Sequence, residues 1–165
     1  MNSYLIKSNN FVKKKLIVQT KKGSYISFYE KFLGFIIKKG KKLNSKKILD
    51  NAFFRVSKKT GFSKKQILIL LFRYLNCFVE TRKILIKRRI HLVPFSIKIQ
   101  RRLYLIVKWL VKAIDFNKRK LSTSAKLSDE ILAVLKKLSG SKVLNFRKLN
   151  NQQSVSNRSN IHFRW

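Results

Sequence analysis

The sequence has few of the residues that form disulfides, metal sites and acid–base pairs. Its 165 residues include one cysteine, two histidines and six acidic residues. One cysteine excludes an internal disulfide, and Cys77, His91 and His162 are too few and too scattered to match the ligand spacing of a metal site. The adjacent acids Asp129 and Glu130 point in different directions if they lie on a helix. We therefore expect no metal, no cofactor and no enzymatic activity.

Long hydrophobic segments are also lacking. The longest uninterrupted apolar run covers residues 67–72, whereas a helix needs about 20 apolar residues to cross a bilayer. Lys7 and the lysines at 13–15 interrupt any signal-peptide core near the start of the chain. The first 22 residues are free of acids, as in mitochondrial transit peptides, but they also lack arginine, which such peptides contain. Whether they form a transit peptide therefore stays open. We expect no membrane span.

Positive charge is what the chain has in abundance. It carries 40 lysines and arginines against six acids, a formal net charge of +34. A free globule with this charge repels itself, so we expect a polyanionic partner. Nucleic acid is the commonest one, because contacts to phosphates release counterions; the alternative is a generic binder of DNA or of an anionic membrane surface. Cations cluster at 38–42, 87–89, 101–102 and 118–120. This spread over the chain favours RNA as the partner.

Hydrophobic periodicity predicts a mainly α fold, a bundle of about six helices with one projecting β-hairpin. Ser63 and either Ser122 or Ser124 are suited to begin helices, and glycines at 40, 61 and 140 are suited to end them. The predicted helices cover 29–39, 43–59, 64–79, 99–115 and 122–138, with 150–160 as either a last helix or a loose tail. We expect residues 1–30 to form a basic N-terminal extension and residues 31–165 a single helical domain.

Most aromatic side chains fall on the apolar stripes of these helices. At such positions an aromatic residue more often fills the core than stacks on a base, because its large apolar surface favours burial. The aromatic residues expected in the core are Phe53, Phe54, Phe72, Phe78, Tyr104 and Trp109.

The predicted hairpin, at about 82–98, is unusually basic. The stretch ETRKILIKRRIHLVPFSIKI at 80–99 alternates apolar residues with cations, as strands do. Pro94 cannot donate a ladder hydrogen bond, so either its strand is at an edge or the backbone nitrogen at this position points outward. A two-stranded hairpin alone is marginal in water, and we expect this one to lie against a partner.

Three segments, in family order and at family spacing, resemble the universal small-subunit ribosomal protein number seven. They are KFLGFIIKKGKKLNSKKILDNAF at 31–53, VETRKILIKRRIHLVPFSIKIQRRLYLIVKWLV at 79–111 and NRSNIHFRW at 157–165. The last segment has Phe163 where the family has Tyr, and Lys87-Arg88 stands where bacterial members often have glycines in the hairpin turn.

The resemblance implies a structural protein of the small ribosomal subunit. Such a protein binds the 3′ major domain of the small-subunit rRNA and helps nucleate assembly of the subunit's head. Its hairpin approaches the exit-site tRNA and the messenger path, and it contacts a neighbouring small-subunit protein, number eleven. The abundance of Lys, Ile, Asn and Phe, whose codons are AT-rich, favours a mitochondrial ribosome, with a plastid or a bacterial cytoplasm as alternatives.

The resemblance also implies which residues of the 31–165 domain contact rRNA. They belong to the end of the first helix, to the hairpin with the fourth helix, and to the C-terminal segment. The implied RNA-binding residues are Lys38, Lys39, Lys41, Lys42, Arg82, Lys83, Lys87, Arg88, Arg89, Arg101, Arg102, Lys108, Arg147, Arg158, His162, Arg164 and Trp165.

Overall fold

The computed structural model describes residues 24–118 and 120–164, with side chains from Phe28 onward. The expectations for residues 1–23, for Arg119 and for Trp165 lie outside the described residues. The described chain is mainly helical with one antiparallel hairpin, which confirms the predicted fold class. In chain order the elements are α1 (Ser24–Ile36), α2 (Lys42–Thr60), α3 (Lys64–Leu75), β1 (Val79–Ile86), β2 (Arg89–Ser96), α4 (Ile99–Asp115), α5 (Thr123–Leu135), α6 (Lys142–Ser156) and a 3-10 helix (Arg158–Phe163).

Serine side chains begin three of the helices. The Ser63 hydroxyl accepts a hydrogen bond from the Gln66 N–H, and the Gln66 side chain accepts one from the Ser63 N–H, which forms a capping box at the start of α3. Ser122 and Ser141 each accept from the N–H three residues later, at the starts of α5 and α6. Gly61 ends α2 with a left-handed φ of 71°. The predicted caps at 63, 122 and 61 are therefore confirmed.

Helix α1 begins and ends earlier than the predicted 29–39. Phe28 is 2% exposed in the core, so α1 includes residues that the sequence assigned to the N-terminal extension. Gly40, expected to end the helix, instead lies in the turn to α2 with a φ of 72°. The Ser45 hydroxyl donates to the Ile36 carbonyl at 3.3 Å and satisfies an acceptor that the helix end leaves open.

Helices α3 and α5 also end before their predicted ends at 79 and 138. Asn76 closes α3 because its ψ of 131° is extended and leads into β1. At the end of α5, Lys137 itself adopts a left-handed φ of 53°. Gly140 is therefore not the residue that ends α5, and the prediction for it is wrong.

The core lies where α1 to α5 pack together. Trp109 is 8% exposed and Phe53 is 1% exposed, which confirms both as core residues. Phe54 and Phe78 are 70% and 61% exposed, so their assignment to the core is wrong. Phe54 follows a buried residue on a helix and points about 100° away from it, and Phe78 lies beyond the end of α3. The most deeply buried large side chains are Phe28, Phe32, Leu49, Phe53, Ile67, Leu71, Leu75, Ile106, Leu110, Leu127 and Ile131.

The C-terminal segment supports the base of the hairpin. Asn150 donates to the Val79 carbonyl of β1 at 2.8 Å, and Asn160 donates to the Leu92 carbonyl of β2 at 3.1 Å. The strands pair in register from 79 opposite 96 to 86 opposite 89. The partner that a lone hairpin needs is thus, at its base, this chain's own C-terminal segment, and the hairpin projects only beyond it.

Helix α6 starts well before the segment 150–160, for which the sequence left a last helix and a loose tail open. The Glu130 carboxylate accepts from the Ser141 hydroxyl at 2.8 Å and from the Val143 N–H at 3.1 Å. An acid at a helix N-terminus satisfies free N–H groups and interacts favourably with the helix dipole. This contact explains a helix that the asparagine-rich sequence alone does not favour.

Candidate nucleic-acid interface

The turn between α1 and α2 carries the first predicted group of cations. Lys38, Lys39, Lys41 and Lys42 are all exposed. Within residues 24–118 and 120–164, no carboxylate lies at ion-pair distance from any of them. Four neighbouring charges without a neutralising acid create a strongly positive potential that favours a bound anion.

The hairpin tip is a two-residue turn formed by Lys87 and Arg88. Their φ angles are 43° and 68°, and positive φ at both central residues is typical of a type I′ turn, which fits the twist of paired strands. Residues with a Cβ are disfavoured there by about 1–2 kcal/mol each. The turn therefore keeps two exposed cations at the end of the hairpin against a cost in backbone energy.

Glu80 organises the arginines at the base of the hairpin. Its carboxylate accepts two hydrogen bonds from Arg101 of α4, from Nε at 2.9 Å and from Nη2 at 2.6 Å. Arg82 Nε lies 3.9 Å from the same carboxylate. The hydrogen bonds from Arg101, together with the charges of Arg101 and Arg82, hold the pKa of Glu80 below its ordinary value although burial acts in the opposite direction. Glu80 thus holds two predicted RNA-binding arginines close together.

Aromatic rings lie against the guanidinium groups of the three predicted RNA-binding arginines of β1 and α4. Such cation–π contacts restrict the side chains and leave part of each charge accessible. Phe78 therefore supports an arginine from the surface instead of filling the core. The pairs, with the distance from guanidinium carbon to ring centroid, are Arg101–Tyr104 (4.5 Å), Arg82–Phe95 (5.3 Å) and Arg102–Phe78 (4.4 Å).

Besides Arg101, the predicted cations Arg102 and Lys108 lie on α4. Arg102 Nε donates to the Ile97 carbonyl at 3.0 Å, which ties its side chain to the end of the hairpin. Lys108 is exposed, and its Nζ lies 5.9 Å from the Tyr104 ring centroid. Both residues therefore extend the charge of the hairpin base along α4.

Arg164 brings the end of the chain to the same region. Its Nη2 donates to the Ser96 hydroxyl at 2.7 Å, and its guanidinium carbon lies 5.5 Å from the Phe95 ring centroid. Arg82 approaches the same ring. Arg158, at the start of the 3-10 helix, is exposed. The hairpin and the C-terminal segment thus contribute cations to one surface.

Arg147 and His162 make contacts within the protein itself. Arg147 Nη1 donates to the Tyr74 carbonyl at 2.6 Å, so this side chain fastens α6 to the end of α3. His162 Nδ1 lies 2.7 Å from the Ser159 carbonyl. Trp165, also predicted to bind RNA, lies outside the described residues. The geometry therefore gives Arg147 a structural contact that the sequence does not indicate.

An open cleft of about 1100 Å³ separates α1 from the hairpin base and the start of α4. The Lys31 ammonium donates to the Gln100 carbonyl at 3.2 Å and so links α1 to α4 beside it. The Phe35 and Tyr104 rings meet edge to face with centroids 5.1 Å apart. Side chains that line the cleft include Lys31, Phe35, Arg82, Lys98, Arg101 and Tyr104.

Three cleft residues were missed or given another role by the sequence. Lys31 and Lys98 lie outside the conspicuous basic clusters, and Tyr104 was assigned to the core. Tyr104 is partly buried against the core and also lines the cleft. Helical spacing of four residues puts Lys31 and Phe35 on one face of α1, but their position beside α4 depends on tertiary packing.

The part of the chain that the structure describes holds neither a candidate metal site nor a candidate membrane span. Among the described residues, no group of three or more His, Cys, Asp or Glu side chains could hold a metal ion. No helix within 24–118 and 120–164 is both long and apolar enough to cross a membrane.

The family described as ribosomal protein S7p/S5e matches residues 6–158. The chain belongs to this family. The match begins earlier than residue 31, where the resemblance of the quoted motifs begins, and it stops within the last motif at 157–165. The resemblance to the universal small-subunit protein number seven is thereby confirmed over most of the chain.

Curated relatives of this S7-family chain cover most of its length at low identity. The small ribosomal subunit protein uS7 of Caldicellulosiruptor saccharolyticus is 26% identical over 135 residues, which cover 82% of this chain and 85% of that protein. The uS7 of Thermodesulfovibrio yellowstonii is 27% identical with the same coverage. The mitochondrial form uS7m of Reclinomonas americana is 24% identical over 82% of this chain and 83% of its own.

Membership in the S7 family makes the chain a small-subunit ribosomal protein. The family is a structural component of the ribosome, which confirms that the chain is not an enzyme.

Proposed function

We propose that this S7-family protein binds the 3′ major domain of the small-subunit rRNA and helps nucleate assembly of the subunit's head. The observation that carries this function is the convergence of Arg82, Arg101 and Arg164 from three separate segments at the hairpin base. Neutralising RNA phosphates with such cations releases counterions and stabilises the complex. A surface built from several elements suits a folded RNA, which proteins recognise mainly through its shape and backbone.

In this proposal the lysines at 38–42, in the turn that follows α1, and the cations of α4 contact the RNA as well. Phosphate contacts fix the orientation of a protein on nucleic acid without reading its sequence. Exposed lysines such as those of the α1–α2 turn, which have no acidic partner among the described residues, are suited to such contacts. Arginines held by Glu80 and by aromatic rings are suited to phosphate contacts of more defined geometry, because their planar groups bind phosphate through two hydrogen bonds.

The projecting part of the hairpin, in this proposal, approaches the exit-site tRNA and the messenger path and contacts the neighbouring protein number eleven. The cations Lys87 and Arg88 at the tip support a nucleic-acid contact. Leu85 and Ile90, directly opposite each other, are 70% and 66% exposed. Apolar side chains exposed beside a basic tip support a protein neighbour, since burying them is favourable.

We also propose that the protein works in a mitochondrial ribosome. Support comes from the abundance of residues with AT-rich codons and from the similarity to a mitochondrial uS7m. Fractionation of the cells that make the protein tests the location: sedimentation with mitochondrial small subunits is expected, and sedimentation with plastid or cytoplasmic subunits would contradict it.

A salt titration tests the RNA-binding surface. Replacing Arg82, Lys87, Arg88 and Arg102 with Gln should weaken binding to the 3′ major domain. The slope of log affinity against log salt should fall by up to ~0.9 for each duplex phosphate that the variant no longer neutralises. Arg101 is left intact because its replacement would deprive Glu80 of its partner.

The matched control replaces four other exposed cations with Gln. They lie on α2, which packs against α1, α3 and α5, and just after α5. An equal effect of the control variant, or equal wild-type affinity for duplex DNA, would contradict the proposed surface and favour a generic polyanion binder. The control residues are Arg55, Lys58, Lys59 and Lys136.

A further inference from the structure

We propose that the cleft between α1, the hairpin base and α4 holds one unstacked nucleotide of single-stranded RNA. Its base would stack on the guanidinium plane of Arg101, and its phosphates would lie near Lys31 and Lys98. This site presupposes the rRNA binding proposed above and adds a recognised nucleotide to it. Proteins commonly bind splayed-out bases of loops and bulges on aromatic rings and Arg planes.

Arg101 is held as a flat platform in the cleft. Glu80 fixes one edge of its guanidinium through Nε and Nη2, and the Tyr104 ring centroid lies 4.5 Å from its central carbon. Even so, 41% of the Arg101 side chain stays exposed. Phe35 packs edge to face against Tyr104 and fixes that ring in turn. Glu80 is therefore a positioning residue, because it orients the platform through Arg101.

Gly34 keeps one wall of the cleft open. It lies inside α1, where glycine is less favourable than alanine. Apart from the two adjacent residues and the backbone of α1 itself, no described atom lies within 4 Å of the position that a Cβ at Gly34 would occupy. Packing of this chain therefore does not require glycine there. The missing side chain instead leaves space that a group from outside the protein can fill.

The charge of the cleft selects a nucleotide over an apolar ligand. Its described lining includes the cations Lys31, Arg82, Lys98 and Arg101 and no acid. Glu80 lies behind Arg101, where the two arginines neutralise it. The cleft of about 1100 Å³ is large enough for a base with its flanking phosphates. Duplex RNA keeps its bases within the stack, so the occupant is single-stranded.

Two substitutions test the site in complexes of the full chain with the 3′ major domain of its rRNA. Arg101→Lys keeps the charge but removes the guanidinium plane, so we expect roughly tenfold weaker binding with an unchanged salt slope, which is the effect of removing one base-stacking interaction. Affinity of Arg101→Lys equal to that of the wild type would mean that Arg101 contributes only its charge, and would contradict stacking on its guanidinium plane. Arg55→Lys, exposed on α2, is the control.

Filling the cleft is the second substitution. Gly34→Leu should weaken binding by a similar factor, whereas Gly34→Ala, which adds only a methyl group in open space, should bind like the wild type. Leucine favours helix more than glycine does, so weaker binding of Gly34→Leu cannot come from a less stable α1.

Ultraviolet crosslinking of the wild-type complex locates the nucleotide directly. We expect RNA adducts on the tryptic peptides 32–38 and 103–108, which contain Phe35 and Tyr104. Peptide 48–55 contains the exposed Phe54 outside the cleft and serves as the control. If Arg101→Lys and Gly34→Leu both bind with wild-type affinity and the two cleft peptides carry no adducts, this site alone is overturned. Failure of the wild type to bind the rRNA would overturn the proposed function as well.

Discussion

Replacing Lys87-Arg88 with Asn-Gly should stabilise the protein and weaken its RNA binding at the same time. Both residues have positive φ, 43° and 68°, which disfavours side chains with a Cβ by about 1–2 kcal/mol each. Asparagine tolerates this conformation and glycine adopts it freely, although glycine is more flexible in the unfolded chain by roughly 0.5–1 kcal/mol. We expect a net gain of about 1–2 kcal/mol in the free energy of unfolding.

The assay combines urea denaturation with the salt dependence of binding to the 3′ major domain. A control variant, Lys87→Gln with Arg88→Gln, removes the same charges but keeps the unfavourable turn residues. Both variants should lower the salt slope equally, by up to ~0.9 for each duplex phosphate no longer neutralised, and only Asn-Gly should be more stable than the wild type. Equal stability of the two variants would refute the left-handed turn, and an unchanged slope would refute a phosphate contact at the tip.

Three further substitutions test other parts of the structure. Trp109→Ala removes a side chain that is 8% exposed and should lower the free energy of unfolding by about 3–5 kcal/mol in urea, without changing the RNA affinity of the folded fraction. Asn160→Ala removes a hydrogen bond to the Leu92 carbonyl and should lower the local stability of the hairpin by about 1 kcal/mol, so its amide hydrogens should exchange faster with solvent. Unchanged hydrogen exchange would contradict the support of the hairpin by the C-terminal segment. Arg101 lowers the pKa of Glu80, so the pair stabilises the fold above the unfolded carboxyl pKa of about 4.3, and this contribution disappears as pH falls through the lower folded pKa. Glu80→Gln lacks this contribution at every pH. Thermal unfolding between about pH 3 and pH 7 should therefore show a smaller loss of stability in acid for Glu80→Gln than for the wild type.

The sequence predicted the helices and the hairpin correctly where residues close together in the chain determine where an element begins and ends. Helix α4 covers 99–115 as expected, because its apolar spacing is regular over its whole length. Ser63 begins α3 because its cap involves only the next three residues. Phe78 was wrong as a core residue because its spacing continues a helix that Asn76 ends. Periodicity does not report where a chain leaves a helix for a strand.

Contacts between distant segments account for what the sequence did not predict. Asn160 lies in a polar segment that the sequence left open as a last helix or a loose tail, and it supports a strand 68 residues away in the chain. Glu80 and Arg101 are 21 residues apart, and their pairing follows from the packing of the hairpin base on α4. The cleft likewise depends on Lys31 of α1 lying beside α4. The basic clusters were evident from the sequence, but the meeting of Arg82, Arg101 and Arg164 at the hairpin base depends on the fold.

Crosslinking the protein to RNA in cells, followed by sequencing of the bound fragments, tests the proposed function most directly. Fragments concentrated in the 3′ major domain of a small-subunit rRNA are the predicted result, and the genome that encodes them identifies the ribosome. Fragments scattered over many unrelated RNAs would contradict rRNA recognition and favour a generic polyanion binder.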